Sequence, residues 1–437
     1  MPDGTLFGNR QALRVVDLFC GAGGTSLGVE MGLGVSPVAA VNHWDYAIQT
    51  HAQNHPGTMH FLEDVFNVHP WQAARGLSID LLVGSPDCTH FSTAKGSAPR
   101  DTGRRALADV FIRWAKEIRP RVIILENVRE FQGWGPLDSA GQPIPERKGE
   151  LFRAWVRSLE VEGYVVEWRL LRACDYGAPT SRLRLFVVAR CDGQPIRWPA
   201  PTHGAGLIPY RTAAEIIDWS LPCPSIFDRP RPLADATCRR IAEGIQRFVV
   251  GAAKPFIATI GYGERAGQSP RIASTDAPLS TVVAGGVKHA LVSAFIARHF
   301  SGASGREVQA PLPTVTTVDH NALVCAALGS DKTPKVAAFL QKFYGASDAQ
   351  NQGVQVPLGT VTTRDRFALT TVNISGEPWQ IVDIGMRMLQ PRELANAQGF
   401  PADYIFNGSK TDQTAAIGNS VVPQVMAALT RANLGAA

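Results

Sequence analysis

The chain has 437 residues, 45% hydrophobic and 19% charged, which is enough for two or three domains with a substantial core. No apolar run is long enough to span a bilayer, and the opening Met-Pro-Asp-Gly-Thr lacks the basic and apolar regions of a secretory signal, so a cytoplasmic protein is expected. Seven cysteines without a Cys-x-x-Cys pair argue against a disulfide framework or a zinc site, and a net charge of +5 permits a nucleic-acid partner without demanding one.

Residues 14–19 read as a short apolar strand that runs into Cys20-Gly21-Ala22-Gly23-Gly24 and then a helical stretch over 25–31. Strand, glycine-rich turn and helix open a Rossmann-like unit, because glycine lets a ligand approach the backbone and the helix N-terminus faces it. Taken alone, such a turn also occurs in nicotinamide and flavin enzymes and in plain tight turns. A second strand over 37–41 ends in Asn42-His43-Trp44-Asp45. There His43 offers a hydrogen bond and Trp44 a stacking face to a ribose and base, with core packing as the other reading of Trp44. Asp45 predicts the cap of a helix through His51, and a third strand with its exit loop over 61–65 brings Asp64 within reach of an adenine amino group.

The run from Ile79 to Val83 meets Gly84-Ser85-Pro86, so a buried strand is expected to end at Gly84 and hand over to a polar loop carrying Cys88. A thiol on a loop at a strand end is placed to react. Cys20, Cys174, Cys191, Cys223, Cys238 and Cys325 are instead expected to pack as small hydrophobes. Over 106–118, Leu107, Val110, Phe111, Trp114 and Ile118 recur at helical spacing as a core stripe, which Pro120 ends. A further strand over 121–125 leads to Glu126-Asn127-Val128. A carboxylate at that edge stands where open α/β sheets do their chemistry, the alternative being a solvated strand end. A helix over 147–161 and strands over 164–171 and 184–190 follow. Arg182 and Arg184 alternate at strand spacing and so share a face, as a clamp for an anion or base edge or as a solvated pair.

Between 191 and 379 the strand and helix alternation stops, and a Pro-Leu-x-Thr-Val repeat occurs three times, beginning at Ala277, Ala310 and Val356. Each copy is followed by a polar turn and a second apolar run, which predicts strand pairs in a β-rich insert. The polar tips, with His320, Arg364 and Arg366, are the natural place to read base edges. A helix pattern returns over 387–397, stopped by Gln398-Gly399-Phe400-Pro401, and residues 416–423 predict a loop before a last helix over 424–433. The fold class expected is α/β, with a Rossmann-like domain from residues 1–190 and 385–437 and a β-rich domain over 191–384.

Asp-Leu-Phe-Cys-Gly-Ala-Gly-Gly at Asp17, Gly-Ser-Pro-Asp-Cys at Gly84, Glu-Asn-Val at Glu126, Arg-x-Arg at Arg182, Arg-Glu at Arg392 and Gly-Asn-Ser-Val at Gly418 resemble, in this order, the DNA cytosine-5 methyltransferases. The resemblance covers roughly residues 12–190 and 385–433 and leaves the middle as that family's target-recognition region. It implies a methyl donor, S-adenosylmethionine, bound by Phe19, Gly21, Gly23, Gly24, His43, Trp44, Asp64, Pro86, Asn419 and Val421. It also implies Cys88 as nucleophile, Glu126 holding a cytosine flipped from double-stranded DNA, and Arg182 and Arg184 at the base; Ser92 and the repeat-tip residues His320, Arg364 and Arg366 are expected at the DNA. The expected protein is a monomer, bacterial or phage-encoded, with no metal and no membrane, in a restriction-modification setting that leaves a cognate endonuclease open.

Cytosine C5 is a poor nucleophile, so a thiolate must first add at C6 while a carboxylic acid at N3 relieves the developing charge. The target atom is buried in duplex DNA, which is why the base must swing out. Asp87 and Thr89 flank Cys88 where the family has proline and glutamine, His43 replaces a glutamate, and Thr180 replaces a glutamine. An acid beside the nucleophile raises the thiol pKa unless it pairs with a cation. The alternatives are methylation of RNA, transfer of a modified group from a related donor, and a catalytically silent DNA-binding regulator.

Overall fold

The computed structural model describes residues 13–86, 106–139, 141–245, 256–259, 268–269, 271–284, 289–297, 371–374 and 377–435. The chain divides into two compact units, Met1–Ile216 with Pro278–Gly286 and Gln390–Ala437, and Ile217–Ala277 with Val287–Leu389. Residues 191–216 and 278–286 thus pack with the first unit, although their composition resembles the insert.

The first unit opens with β1 (Val15–Leu18), α1 (Gly24–Leu33), β2 (Ala39–Asn42), α2 (Asp45–Asn54), β3 (Met59–Leu62), α3 (Pro70–Ala73) and β4 (Leu81–Gly84). It continues through α4 (Asp109–Ile118), β5 (Val122–Asn127), α5 (Glu150–Val161), β6 (Val165–Arg172) and β7 (Leu183–Arg190). Its seven strands form one sheet in the order β3-β2-β1-β4-β5-β7-β6. Strands β1 to β5 run parallel, and β7 lies antiparallel between β5 and β6. Helices cover both faces, so β4 and β5 are buried at every position and read as apolar runs rather than alternating ones.

Successive strand residues still point to opposite cores. Val16, Leu82, Ile123 and Leu125 pack with Phe111 and Trp114 of α4 and with Phe152 and Trp155 of α5. Val15, Leu81, Val83 and Ile124 pack on the other face with Val29 of α1 and the C-terminal residues Val425, Met426 and Leu429. Cys20, Cys174 and Cys238 are buried thiols and Cys191 and Cys223 half-buried ones, and none of these five is joined in a disulfide.

The second unit contains α6 (Asp235–Gly244), a helix where the composition predicted none. With it come β8 (Phe256–Thr259), β9 (Ile272–Ser274), β10 (His289–Ala297), β11 (Thr371–Ile374) and β12 (Glu377–Met388). These strands form an antiparallel sheet in the order β11-β12-β10-β8-β9. Phe256, Leu291, Val292, Ile384 and Met386 are buried there. The first repeat copy does not form the expected strand pair. Its apolar run belongs to β10, while Leu279 makes a lone parallel bridge to Thr180 in the first unit. The other two copies lie outside the described residues.

The chain ends with α7 (Pro391–Ala397), α8 (Lys410–Asn419) and α9 (Pro423–Leu434). Helix α7 starts later than the pattern from Arg387 predicted, because Arg387 and Met388 pair in β12 and a Gln390–Glu393 capping box with Pro391 sets the helix start. The loop expected from 416 is helical as far as Asn419. Ser409, whose side chain accepts the Asp412 amide, caps α8 upstream of it.

Asp17 in β1 is fully buried and ends a polar chain. Ser26 Oγ donates to Asp17 Oδ2 at 2.7 Å, His51 Nε2 lies 2.8 Å from Ser26 Oγ, and His60 Nε2 lies 2.8 Å from His51 Nδ1. Since the hydroxyl proton goes to Asp17, His51 donates from Nε2 and accepts from His60 at Nδ1. Burial pushes the Asp17 carboxyl up to about 7 from its ordinary 3.8, against the Ser26 hydrogen bonds. A raised folded pKa means that the folded chain binds the proton more tightly, so this group's contribution to stability falls as pH rises from about 4 to about 7. Asp17→Asn removes that dependence. Its stability relative to the parent should improve between those pH values by up to roughly 4 kcal/mol, at 1.36 kcal/mol per pKa unit. Urea midpoints at the two ends of the range measure it, and an unchanged difference between the two proteins would refute the assignment.

Candidate active site

The parallel strands deliver their exit loops to one edge of the sheet. After β1 the chain turns through Phe19 and Gly21, at φ 58° and 52°, to Gly23 at φ 97°, a left-handed conformation that glycine adopts without strain. Gly23 starts α1 with no side-chain cap, and although the Ser26 amide is held by Asp17, the start of the helix at Gly24 and Thr25 presents the positive end of the dipole to a ligand. Tyr404 Oη donates to the Ala22 carbonyl at 2.6 Å, which fixes the turn from the C-terminal segment.

Phe19 is half-buried and stacks on Phe111, with ring centroids 6.3 Å apart. His43 is exposed after β2, and Trp44 is half-buried with its ring 5.1 Å from that of Tyr46. Asp64 is exposed after β3, where its Oδ1 accepts the Phe66 amide at 2.9 Å. Pro86 is buried after β4, and its carbonyl accepts from Asn127 Nδ2 at 3.3 Å, which ties the start of the cysteine loop to the end of β5. The Val421 carbonyl lies against Gly24, whereas the Val421 side chain is core and Asn419 is exposed at the end of α8. An uncapped helix start, an aromatic face and exposed polar groups at one strand edge fit a donor with a carboxylate, a ribose and a purine. Cys88, Ser92, His320, Arg364 and Arg366 lie outside the described residues.

Glu126 is 5% exposed near the end of β5. It stands opposite Phe186 of the antiparallel β7, so Arg184, two residues earlier on that strand, is its diagonal neighbour on the same face. Arg184 Nε lies 3.2 Å from Glu126 Oε1, an ion pair, although that oxygen has no partner in hydrogen-bond geometry. Arg182, 4% exposed, lines the same pocket as Glu126 and Arg184, together with Leu171, Ala173, Phe186, Val422 and Val425. Burial raises the Glu126 pKa, and the positive charges of Arg184 and then Arg182 oppose the rise. The balance leaves a carboxyl that holds its proton more readily than a solvated glutamate. The tie from Asn127 to Pro86 and the carbonyl partners of Arg182 are missed by sequence reasoning, since a main-chain acceptor leaves no residue-type signal.

A parallel sheet with a glycine turn at one strand end and a buried acid with arginines at another defines a Rossmann-like methyltransferase fold. The model of the C-5 cytosine-specific DNA methylase family matches residues 13–205 and 326–434, more than half of the chain, and the chain belongs to that family. It is 32% identical over 199 residues to the Type II methyltransferase M.AgeI of Thalassovita gelatinovora, a match covering 44% of this chain and 43% of that one. It is 29% identical over 228 residues to M.AquIA of Picosynechococcus, covering 47% and 87%. The chain thus spans less than half the length of M.AgeI. The crystal structure of a Spodoptera frugiperda DNMT2 mutant matches over 95% of this chain and 97% of its own with a TM-score of 0.52 at 16% identity, a likeness of fold. Among the described residues there is no cluster of three or more His, Cys, Asp or Glu suited to a metal ion, and no helix long and apolar enough to cross a membrane.

Removing the Arg184 charge withdraws the larger of the two influences that favour the ionised carboxyl. Arg184→Gln should therefore raise the Glu126 pKa further, because an adjacent opposite charge is lost. Carbon-13 NMR titration of the glutamate carboxyls, assigned with Glu126→Gln, reads the shift. A pKa that stays put or falls would show that Arg184 does not act on the carboxyl.

Proposed function

We propose that the protein is a DNA cytosine-5 methyltransferase that acts on a cytosine turned out of duplex DNA into the pocket of Glu126, Arg182 and Arg184. The observation that carries the proposal is the buried Glu126–Arg184 pair at the strand edge next to the one from which the Cys88 loop departs. Family membership and the order of the motifs support it.

Each residue then has a chemical task. Glu126, kept protonated more readily by burial, donates at N3 of the ring, so that negative charge developing there is met by a proton. Cys88 follows Pro86 by two residues, and the Asn127 bond to the Pro86 carbonyl ties the exit of β4 to the end of β5, the strand that carries the acid. Its thiolate adds to C6, the sulfur–carbon bond forms, and the displaced π electrons make C5 nucleophilic. When bound, S-adenosylmethionine supplies the electrophilic methyl group. Loss of the C5 proton to a base then restores the ring double bond and expels the thiolate. Arg184 orients Glu126, and Arg182 lines the wall against which the flipped base rests. The β-rich unit and its polar repeat tips read the surrounding sequence.

Cys88→Ser should abolish methyl transfer, a loss of at least about 10³-fold for removal of a covalent nucleophile, while retaining DNA binding. DNA with 5-fluorocytosine at the target should trap the parent protein covalently, because the ring then has no C5 proton to lose. Undiminished transfer by the serine variant, or no trapped complex, would refute the mechanism. Transfer of labelled methyl to RNA but not to DNA would place the substrate elsewhere. Substitution of Arg364 or Arg366 should change the methylated sequence more than donor affinity, as read by sequencing methylated cytosines. A change in donor affinity alone would remove the reading role from those turns.

A further inference from the structure

The loop that delivers Arg182 is held by the first copy of the repeat. The Leu279 amide donates to the Pro179 carbonyl at 2.9 Å, and the Ser181 amide donates to the Leu279 carbonyl at 2.7 Å. Thr180 Oγ1 reaches the Ser280 carbonyl at 3.5 Å, and Ser181 Oγ reaches that of Leu279 at 3.3 Å. Leu279 and Val282, each 1% exposed, anchor the segment. One nitrogen of the arginine is the focus. Arg182 Nη1 donates to the Val282 carbonyl at 3.0 Å and to the Gly418 carbonyl at 3.1 Å. Gly418 lies in the last turn of α8, where carbonyls lack intrahelical partners and the dipole is negative, so a guanidinium is favoured there. Gly418 also lies against the backbone of Val283 and Ala284 so closely that a methyl group would collide with both.

We propose that residues 278–284 and the end of α8 form a positioning clamp for Arg182, in which Val282 and Gly418 act through their carbonyls to aim the guanidinium along the pocket wall shared with Glu126. This rests on the active-site reading above only in giving Arg182 a task at the base. The clamp explains why the first repeat copy packs with the first unit while the chain on either side of it belongs to the second. It also gives the Gly418 motif a function that needs no side chain, because the close approach of Val283 and Ala284 admits only hydrogen at that position.

Gly418→Ala tests the clamp. Alanine is the better helix former, so any damage comes from the collision and not from the helix. Single-turnover methyl transfer should fall about tenfold or more with the Kd for DNA changed less than about threefold. In an Arg182→Ala background the same substitution should cost less than about twofold, since contacts acting through one residue are not additive. Additive losses, or no loss in the parent background, would overturn the clamp. Hydrogen exchange gives a readout independent of activity. Peptides spanning 179–182 and 278–284 should exchange faster in Gly418→Ala while β1 to β5 remain protected, and unchanged exchange would overturn the clamp even if the chain methylates nothing. If Arg182→Ala alone leaves transfer intact, the catalytic reading of Arg182 fails while the exchange result still decides the clamp. Should Gly418→Ala not fold, Thr180→Val removes one strut without adding volume, and the same two peptides should loosen or the proposal fails.

Discussion

A carboxyl buried at the end of a central strand needs a counterweight. Removing a carboxylate from water costs several kcal/mol even after the surroundings relax, and an uncompensated charge there would be strongly destabilising. Glu126 is paired with the Arg184 guanidinium and lies in the field of Arg182 from the same short stretch, and that is possible only because β7 runs antiparallel to β5. An antiparallel β7 starts beside the place where β5 ends, so Arg184 reaches Glu126 at 3.2 Å. Had β7 continued the parallel pattern, its first residues would lie at the opposite edge of the sheet, away from every exit loop.

Asp17 shows what the same burial does without arginines. It sits on β1, with a serine hydroxyl and amide as its support, and its pKa climbs to about 7. Two acids on one sheet therefore answer to different partners. Asp17 ends a chain of neutral donors through Ser26, His51 and His60, which ties β1 to α2 and β3 beneath the glycine turn. Glu126 faces a pocket. Environment divides the two acids into a structural group and a candidate chemical one.

Much of the parallel sheet was legible in the sequence because local rules dictate it. The apolar runs before Gly84 and Glu126, the helical stripe of Val110, Phe111, Trp114 and Ile118, and the turn at Gly21 to Gly24 all depend on neighbours a few residues away. The alternation of Arg182 and Arg184 was also readable, since strand spacing alone puts them on one side. What was not legible depends on distance along the chain. Helix α8 runs through Ala416 to Asn419 because Ser409 caps it upstream, whereas the Gly-Asn-Ser sequence by itself suggests a loop. Arg387 looked helical, but its pairing with Leu291 draws it into β12. The repeat suggested three equal strand pairs, yet the first copy gives its backbone to the Arg182 loop, which no residue pattern announces.

The pocket therefore has two halves with different origins. The Glu126–Arg184 pair needs only β5 and β7, which pair directly in the sheet. The Arg182 guanidinium is seated by acceptors 100 and 236 residues further along the chain, so it is fixed only after the segment inside the insert and the last turn of α8 have both docked. Closing loops of that length costs entropy before any contact rewards it, although the cost grows only slowly with length. The ionic half can thus form with the sheet, while the aiming of the second arginine depends on the completed chain. An arginine held through main-chain carbonyls depends on the backbone path that presents them: at 282 a buried valine side chain anchors that path, and at 418 the path itself leaves no space for a side chain.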